Sequence, residues 1–193
     1  VEVLPDIFRD FKAQGIDELI VDFRYNGGGY AFTESVLASL IAPPSVVSSK
    51  GVFQTEIYNS WLTQAWEGQE YDTNTYFGTD FSVNYNGKTY SANVADANPE
   101  VSKVYFITTG GSASASEGVI VGLGPYMDIT LVGERTYGKY CAGYMLGPDD
   151  LYDSKKYDFT LIKDWGMYVM VSTFADKNGH NRSKDRKSGS AGM

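Results

Sequence analysis

The chain has 193 residues, 42% of them apolar, with fifteen tyrosines and a formal charge of −8. That composition can build the core of one domain, or of one domain with a small insertion, and it excludes a chain disordered throughout. Twenty-four acidic against sixteen basic residues also exclude a nucleic-acid-binding surface, which needs clustered Lys and Arg.

Leu4, Ile7, Phe8 and Phe11 recur at helical spacing, Pro5 suits a first turn, and Gly15 stops the helix. Val1 opens into this helix without a starting Met, so a longer precursor is expected. Glu18 to Phe23 reads as a short buried strand that runs into Arg24-Tyr25-Asn26-Gly27-Gly28-Gly29. Thr33 is the expected cap of a helix reaching about Ile41, ended by Pro43-Pro44. Residues 45–100 are polar and aromatic and are expected to form a small β-rich insertion or substrate-facing subdomain. Within them Val52 to Tyr58 reads as a strand and Trp61 to Trp66 as a helical turn or loop. Phe81 to Val94 reads as a hairpin about Asn86-Gly87.

Lys103 to Thr109 is a second buried strand, entering Gly110-Gly111-Ser112-Ala113-Ser114-Ala115-Ser116-Glu117 and a small-residue helix that ends near Gly124-Pro125. Ile129 to Val132 reads as a third strand and Gly133 to Gly143 as a glycine-bearing loop. Phe159 to Ile162 and Met167 to Phe174 read as closing strands. Residues 177–193 form a polar tail, expected to be flexible, whose basic run from Arg182 to Lys187 reads as a solvated end. Strands alternating with helices predict an α/β domain with function on the loops at strand ends.

Elimination narrows the chemistry. The one histidine, His180, sits in an Asn178-Gly179-His180-Asn181 stretch that reads as an exposed turn. One His and one Cys cannot furnish a usual zinc site, so no metal is expected. Cys141 has no disulfide partner and reads as a buried structural cysteine rather than a reactive thiol. No run of about 18 apolar residues spans a membrane, and no charged-then-apolar leader opens the chain. What remains is a serine cluster before a helix and Lys139 in Thr136-Tyr137-Gly138-Lys139-Tyr140-Cys141. A serine needs a base to become a nucleophile, and a neutral lysine can serve. Spacing alone leaves this open beside a tight packing junction.

Three segments carry a resemblance. Asp22-Phe23-Arg24-Tyr25-Asn26-Gly27-Gly28-Gly29, Ser112-Ala113-Ser114-Ala115-Ser116-Glu117 and Gly133-Glu134-Arg135-Thr136-Tyr137-Gly138-Lys139 are similar, in order, to elements of the C-terminal processing peptidases, also called tail-specific proteases. The resemblance covers about Val3 to Phe174, and its 25-position separation of Ser114 from Lys139 is the family's. It implies an α/β fold, a crotonase/Clp-like spiral of ββα units, as a catalytic domain over residues 1–176. It implies a Ser/Lys hydrolase of peptide bonds, without cofactor or metal, acting on protein or peptide substrates. Export to a bacterial periplasm or cell envelope follows from the same resemblance, and the oligomeric state stays open.

By carry-over Ser114 is the nucleophile and Lys139 the general base. The N–H of Ala115 and of Gly28 or Gly29, Gly28 first, form the oxyanion hole. Arg24 and Asn26 hold the loop, and Glu117 caps or anchors. Ser112 and Ser116 are rival nucleophiles. Relatives often carry glutamine four residues after the lysine, aspartate eleven after the serine and glycine next to the lysine; here these are Gly143, Pro125 and Tyr140. No PDZ-like region and no acidic-proline closing segment are legible. The alternatives are a catalytically silent relative acting as a peptide-binding or scaffold domain, and a crotonase-like acyl-CoA enzyme.

Overall fold

The structure, a computed structural model, describes residues 1–153 and 155–180. Helix α1 (Leu4–Gln14) starts with a proline in its first turn and ends on Gly15, whose φ of 64° is left-handed. Strand β1 (Glu18–Asp22) then pairs in parallel with β6 (Lys103–Thr108), which pairs in parallel with β7 (Asp128–Gly133). Parallel neighbours need crossovers. Helix α5 (Ala115–Leu123) joins β6 to β7, and the longer β1–β6 connection contains α2 (Ala31–Ile41) and α3 (Pro44–Ser48). The α2 cap is Tyr30, not Thr33, which lies inside the helix. Pro43-Pro44 ends α2 as expected, and Pro44 then opens α3, where a missing N–H costs nothing.

A second sheet has the order β3-β2-β9-β8, built from β2 (Val52–Tyr58), β3 (Asn74–Tyr76), β8 (Cys141–Leu146) and β9 (Met167–Ala175), all pairs antiparallel. Helix α4 (Ser60–Ala65), capped by the Asn59 side chain, connects β2 towards β3. The hairpin of β4 (Asp80–Tyr85) and β5 (Lys88–Asn93) turns on Asn86 and Gly87, both at positive φ, as that dipeptide predicts.

Two further expectations are corrected. Residues Cys141 to Gly143 belong to β8 rather than to a loop, because they find partners on β9. Phe159 to Ile162 is not a strand: Asp158 Oδ1 accepts the Thr160 N–H and Ile162 N–H bonds back to Phe159 O, so turns replace extension. A short helix, α6 (Pro148–Leu151), also escaped the apolar pattern. The expectation for the basic run Arg182 to Lys187, with most of the tail, lies outside the described residues.

The core lies between the parallel sheet and α1, α2 and α5, around Leu40, Ile41, Val104, Phe106 and Leu123, and it extends to Phe53 and Phe77. Phe23 and Phe106 stack within it at 5.4 Å. One buried carboxyl interrupts the apolar contact. Glu34 of α2 is nearly fully buried, and its Oε1 accepts 2.5 Å from Gln54 Nε2 of β2. Gly118 of α5 makes the room: a Cβ there would stand 1.8 Å from Glu34 Oε1.

Desolvation, only partly offset by Gln54, pushes the Glu34 carboxyl up to about 8 from 4.5. Below 4.5 the folded and unfolded states are both protonated and stability is full. Between 4.5 and 8 the unfolded chain releases a proton that the folded chain keeps, so stability falls as pH rises through that window, by about 5 kcal/mol in all. Glu34→Gln should therefore raise the denaturation midpoint at pH 8 and change it little at pH 4. Urea titrations at the two pH values check this; an equal midpoint at pH 8 refutes it.

Candidate active site

The glycine-rich segment after β1 and the serine-rich segment after β6 lie side by side because their strands are parallel neighbours, with Asp22 opposite Ile107. Hydrogen bonds lace them together. Phe23 N–H donates to Ile107 O, and Ser112 Oγ donates to Phe23 O at 2.6 Å. Asn26 O accepts from Ala113 N and from Ser116 Oγ, each at 3.1 Å. Thr109 Oγ1 donates to Arg24 O. The rival serines are thus engaged in holding the loop: Ser112 is fully buried and Ser116 nearly so.

Ser114 stands apart. It is the residue immediately before α5, at φ 55° and ψ −119°, a left-handed φ that a non-glycine residue rarely takes. Such strain gathers at functional sites. Ala115 is the first residue of α5, where a backbone N–H has no partner within the helix. Gly28 packs against this junction at φ 107°; a Cβ there would lie 2.7 Å from Ser114 Cβ and 3.1 Å from Ala115 N. Its own N–H donates to Asn26 Oδ1 at 3.0 Å.

The third segment is brought in by Glu117. Its carboxylate is fully buried, and Oε2 accepts from Ser114 N at 3.0 Å and from Lys139 N at 2.8 Å, while Oε1 accepts from Gly138 N at 2.6 Å. Tyr137 N–H adds a bond to Ser112 O. One side chain therefore holds the main chain at Ser114 and at Lys139, residues 25 positions apart. Lys139 itself is partly buried.

Arg24 supports the rim: its guanidinium bonds both carboxylate oxygens of Asp22, at 3.0 and 2.7 Å. That side-chain bonding, with the Arg24 backbone N–H, holds the Asp22 carboxyl below its ordinary value. The positions that depart from the resemblance also find places. Gly143 lies at a bulge in the β8–β9 pairing, where a Cβ would meet Val169 O at 2.4 Å, so no side chain fits. Pro125 follows the end of α5. Tyr140 packs its ring on Phe174 of β9 at 5.7 Å. Cys141 is partly rather than fully buried. His180 is exposed in the turn after β9, its N–H donating to Asp176 Oδ1. Among the described residues no group of three His, Cys, Asp or Glu could hold a metal ion.

The profile of peptidase family S41 matches residues 2–185. The chain belongs to that family. No curated protein sequence matches it. Among solved structures, a protein of Bacteroides fragilis NCTC 9343 assigned to the S41 proteases superposes with a TM-score of 0.63 at 23% identity, covering 92% of this chain and 38% of its own. The photosystem II D1 C-terminal processing protease superposes with a TM-score of 0.57 at 19% identity, covering 92% of this chain and 34% of its own. This S41 chain thus spans little more than a third of each neighbour's length, and at these identities the likeness is one of fold. No helix among its described residues is long and apolar enough to cross a membrane.

The roles of Glu34 and Gln54 were not found in the sequence. A glutamate among the apolar positions of α2 was the available signal, and it needed Gly118, 84 positions on, to be read.

Proposed function

We propose that the chain is the catalytic part of a serine peptidase that cleaves peptide bonds through an acyl-enzyme, with Ser114 as nucleophile and Lys139 as general base. The observation that supports this is the Glu117 carboxylate, which binds the backbone at both residues and so ties their two segments together.

In the proposed reaction Ser114 Oγ attacks the scissile carbonyl carbon while Lys139 Nζ accepts the hydroxyl proton. The carbonyl oxygen becomes an oxyanion, stabilised by N–H groups already aimed at it. Ala115 N–H is one donor. Gly28 N–H is held by Asn26, so Gly29 N–H becomes the preferred second donor. Collapse breaks the C–N bond and the leaving amine takes the proton from Lys139. Water then attacks the acyl carbon, Lys139 again accepting a proton, and the carboxylic acid product leaves as Ser114 recovers its hydrogen. Arg24 and Asn26 hold the loop in place.

The parallel β1-β6-β7 ladder, with helices in its crossovers, supports reading the domain over 1–176 as part of a crotonase/Clp-like spiral. Its substrates are proteins or peptides cut near their C-termini, and its place is a bacterial envelope, both by kinship with the processing peptidases.

Labelling with a fluorophosphonate, mapped by mass spectrometry, tests the assignment. The adduct is expected on Ser114 and absent from Lys139→Ala; an adduct on Ser112 or Ser116, or none, overturns it. Gly28→Ala gives a second check. The added methyl conflicts with both the positive φ and Ser114 Cβ, so the loop must retreat. Cleavage of a casein substrate should fall by about 100-fold, the scale of a misplacement near 1 Å.

A further inference from the structure

The second sheet carries a cluster that the proposed chemistry does not use. Tyr58 at the end of β2 and the α4–β3 connection bring three rings together: Tyr58 meets Trp66 edge-on at 4.6 Å, and Trp66 stacks on Tyr71 at 4.6 Å. Tyr58 Oη donates to Glu56 Oε2 and lies 3.1 Å from Tyr71 Oη. Tyr144 of β8 lies beside the same group, close enough for its hydroxyl to interact with those of Tyr58 and Tyr71. Burial and the Glu56 carboxylate raise Tyr58 well above the ordinary tyrosine range, so it stays a donor and Glu56 stays the acceptor.

The register fixes where this lies. Tyr58 is opposite Ser172 of β9, and Ser172 is opposite Ala142 of β8. Directly opposed residues share a face, so Ser172 forms the floor between Tyr58 and the small Ala142. Ala142 is three residues beyond Lys139, which puts Tyr58 about 10 Å across two strand spacings from the segment that bears the base. Ser172 is 6% exposed, and its hydroxyl is without a hydrogen-bond partner among the described residues. A buried, orphaned hydroxyl is costly, and it points to a group that completes it.

Charge selects the group. Residues 51–87 contain five carboxylates, Glu56, Glu67, Glu70, Asp72 and Asp80, and neither a lysine nor an arginine. Tyr71 and Tyr144 are about half exposed, leaving ring surface open to a ligand. Aromatic faces beside a carboxylate attract a cation, by the ring quadrupole and by direct charge.

We propose that Glu56, Tyr58, Trp66, Tyr71, Tyr144 and Ser172 form a subsite for a lysine or arginine side chain of the polypeptide substrate. The proposal rests on the peptidase reading for its substrate class, and it assigns that reading a preference for basic residues beside the scissile bond. The cation lies against the Tyr71 and Tyr144 rings and donates to Glu56, above the floor that Ser172 forms.

The test separates binding from cleavage. The 193-residue chain carrying Ser114→Ala is titrated with acetylated pentapeptide amides, Ala-Ala-X-Ala-Ala, with X as Lys, Arg, norleucine or Glu, following tryptophan fluorescence. Lys and Arg peptides are expected to bind at least about tenfold more tightly than norleucine, and Glu most weakly. Glu56→Gln should erase most of that preference, and Tyr71→Leu should weaken Lys and Arg binding several-fold. Equal or tighter norleucine binding, a preference unchanged by Glu56→Gln, or no saturable signal with any peptide overturns the subsite. Failure of the native chain to take a fluorophosphonate label bears only on the peptidase reading, since the titration needs no turnover.

Discussion

Ser114→Ala and Lys139→Ala should each lower peptide-bond hydrolysis by at least about 10,000-fold, and the double variant should lose no more than the worse single one. Residues that act as one unit are grossly non-additive, and removing either leaves only what the oxyanion donors and substrate binding provide. Here the unit is defined by Glu117, whose carboxylate bonds the backbone of Ser114 and Lys139 alike. Steady-state cleavage of a quenched fluorogenic casein checks both magnitude and non-additivity. Losses that multiply in the double variant would mean two independent groups and would sink the dyad. Lys139→Arg should be as inactive as Lys139→Ala, because a guanidinium cannot give up its proton under working conditions.

Glu117→Ala is expected to harm both stability and activity. Three backbone N–H donors at Ser114, Gly138 and Lys139 would lose their acceptor in a fully buried place. An orphaned buried donor costs about 1–3 kcal/mol, and water entering the space left by the carboxylate offsets part of the sum. A net loss of about 3 kcal/mol is expected. Turnover should fall by about 100-fold or more in the folded fraction, since the segment bearing Lys139 is released from the helix start bearing Ser114.

Glu117→Gln separates the two effects. Its amide oxygen can keep the bonds to Ser114 and Lys139, but its NH2 then faces the Gly138 N–H. About a tenfold loss of turnover with a smaller loss of stability is expected. Chemical denaturation alongside kcat and KM makes the measurement; a Glu117→Ala chain with native stability and turnover would contradict the anchoring role.

Much of this site was legible in the order of residues. Glycines after a buried strand, and alternating small residues and serines before a helix, are local patterns that force tight turns wherever they occur. Those turns place Ser114 before α5 and Gly28 against it. The elements with strong periodicity or strong stop signals, α1, β1, β6 and the Asn86-Gly87 hairpin, came out close to their predicted bounds for the same reason. Failures fell where the deciding partner is remote or the local pattern competes. Cys141 to Gly143 looks like loop because its glycine favours one, yet pairing with β9 some thirty residues later draws it into a strand. Phe159 to Ile162 has strand composition, but the Asp158 side chain satisfies the Thr160 N–H and turns the chain.

The sequence by itself carried the three motif segments and their order, and through their resemblance to the processing peptidases the expectation of Ser114 and Lys139, which spacing alone leaves open. Only the tertiary structure decided that Glu117 holds both, that Gly28 N–H is taken by Asn26, and that Glu34 lies against Gly118. It also decided that the acidic, aromatic lobe of β2 and α4 is joined through β9 to the strand following Lys139. Apart from the local Asn26–Gly28 turn, these depend on burial and on contacts between groups far apart in the chain. Which buried acceptor meets which donor is set by packing, and no local pattern encodes it.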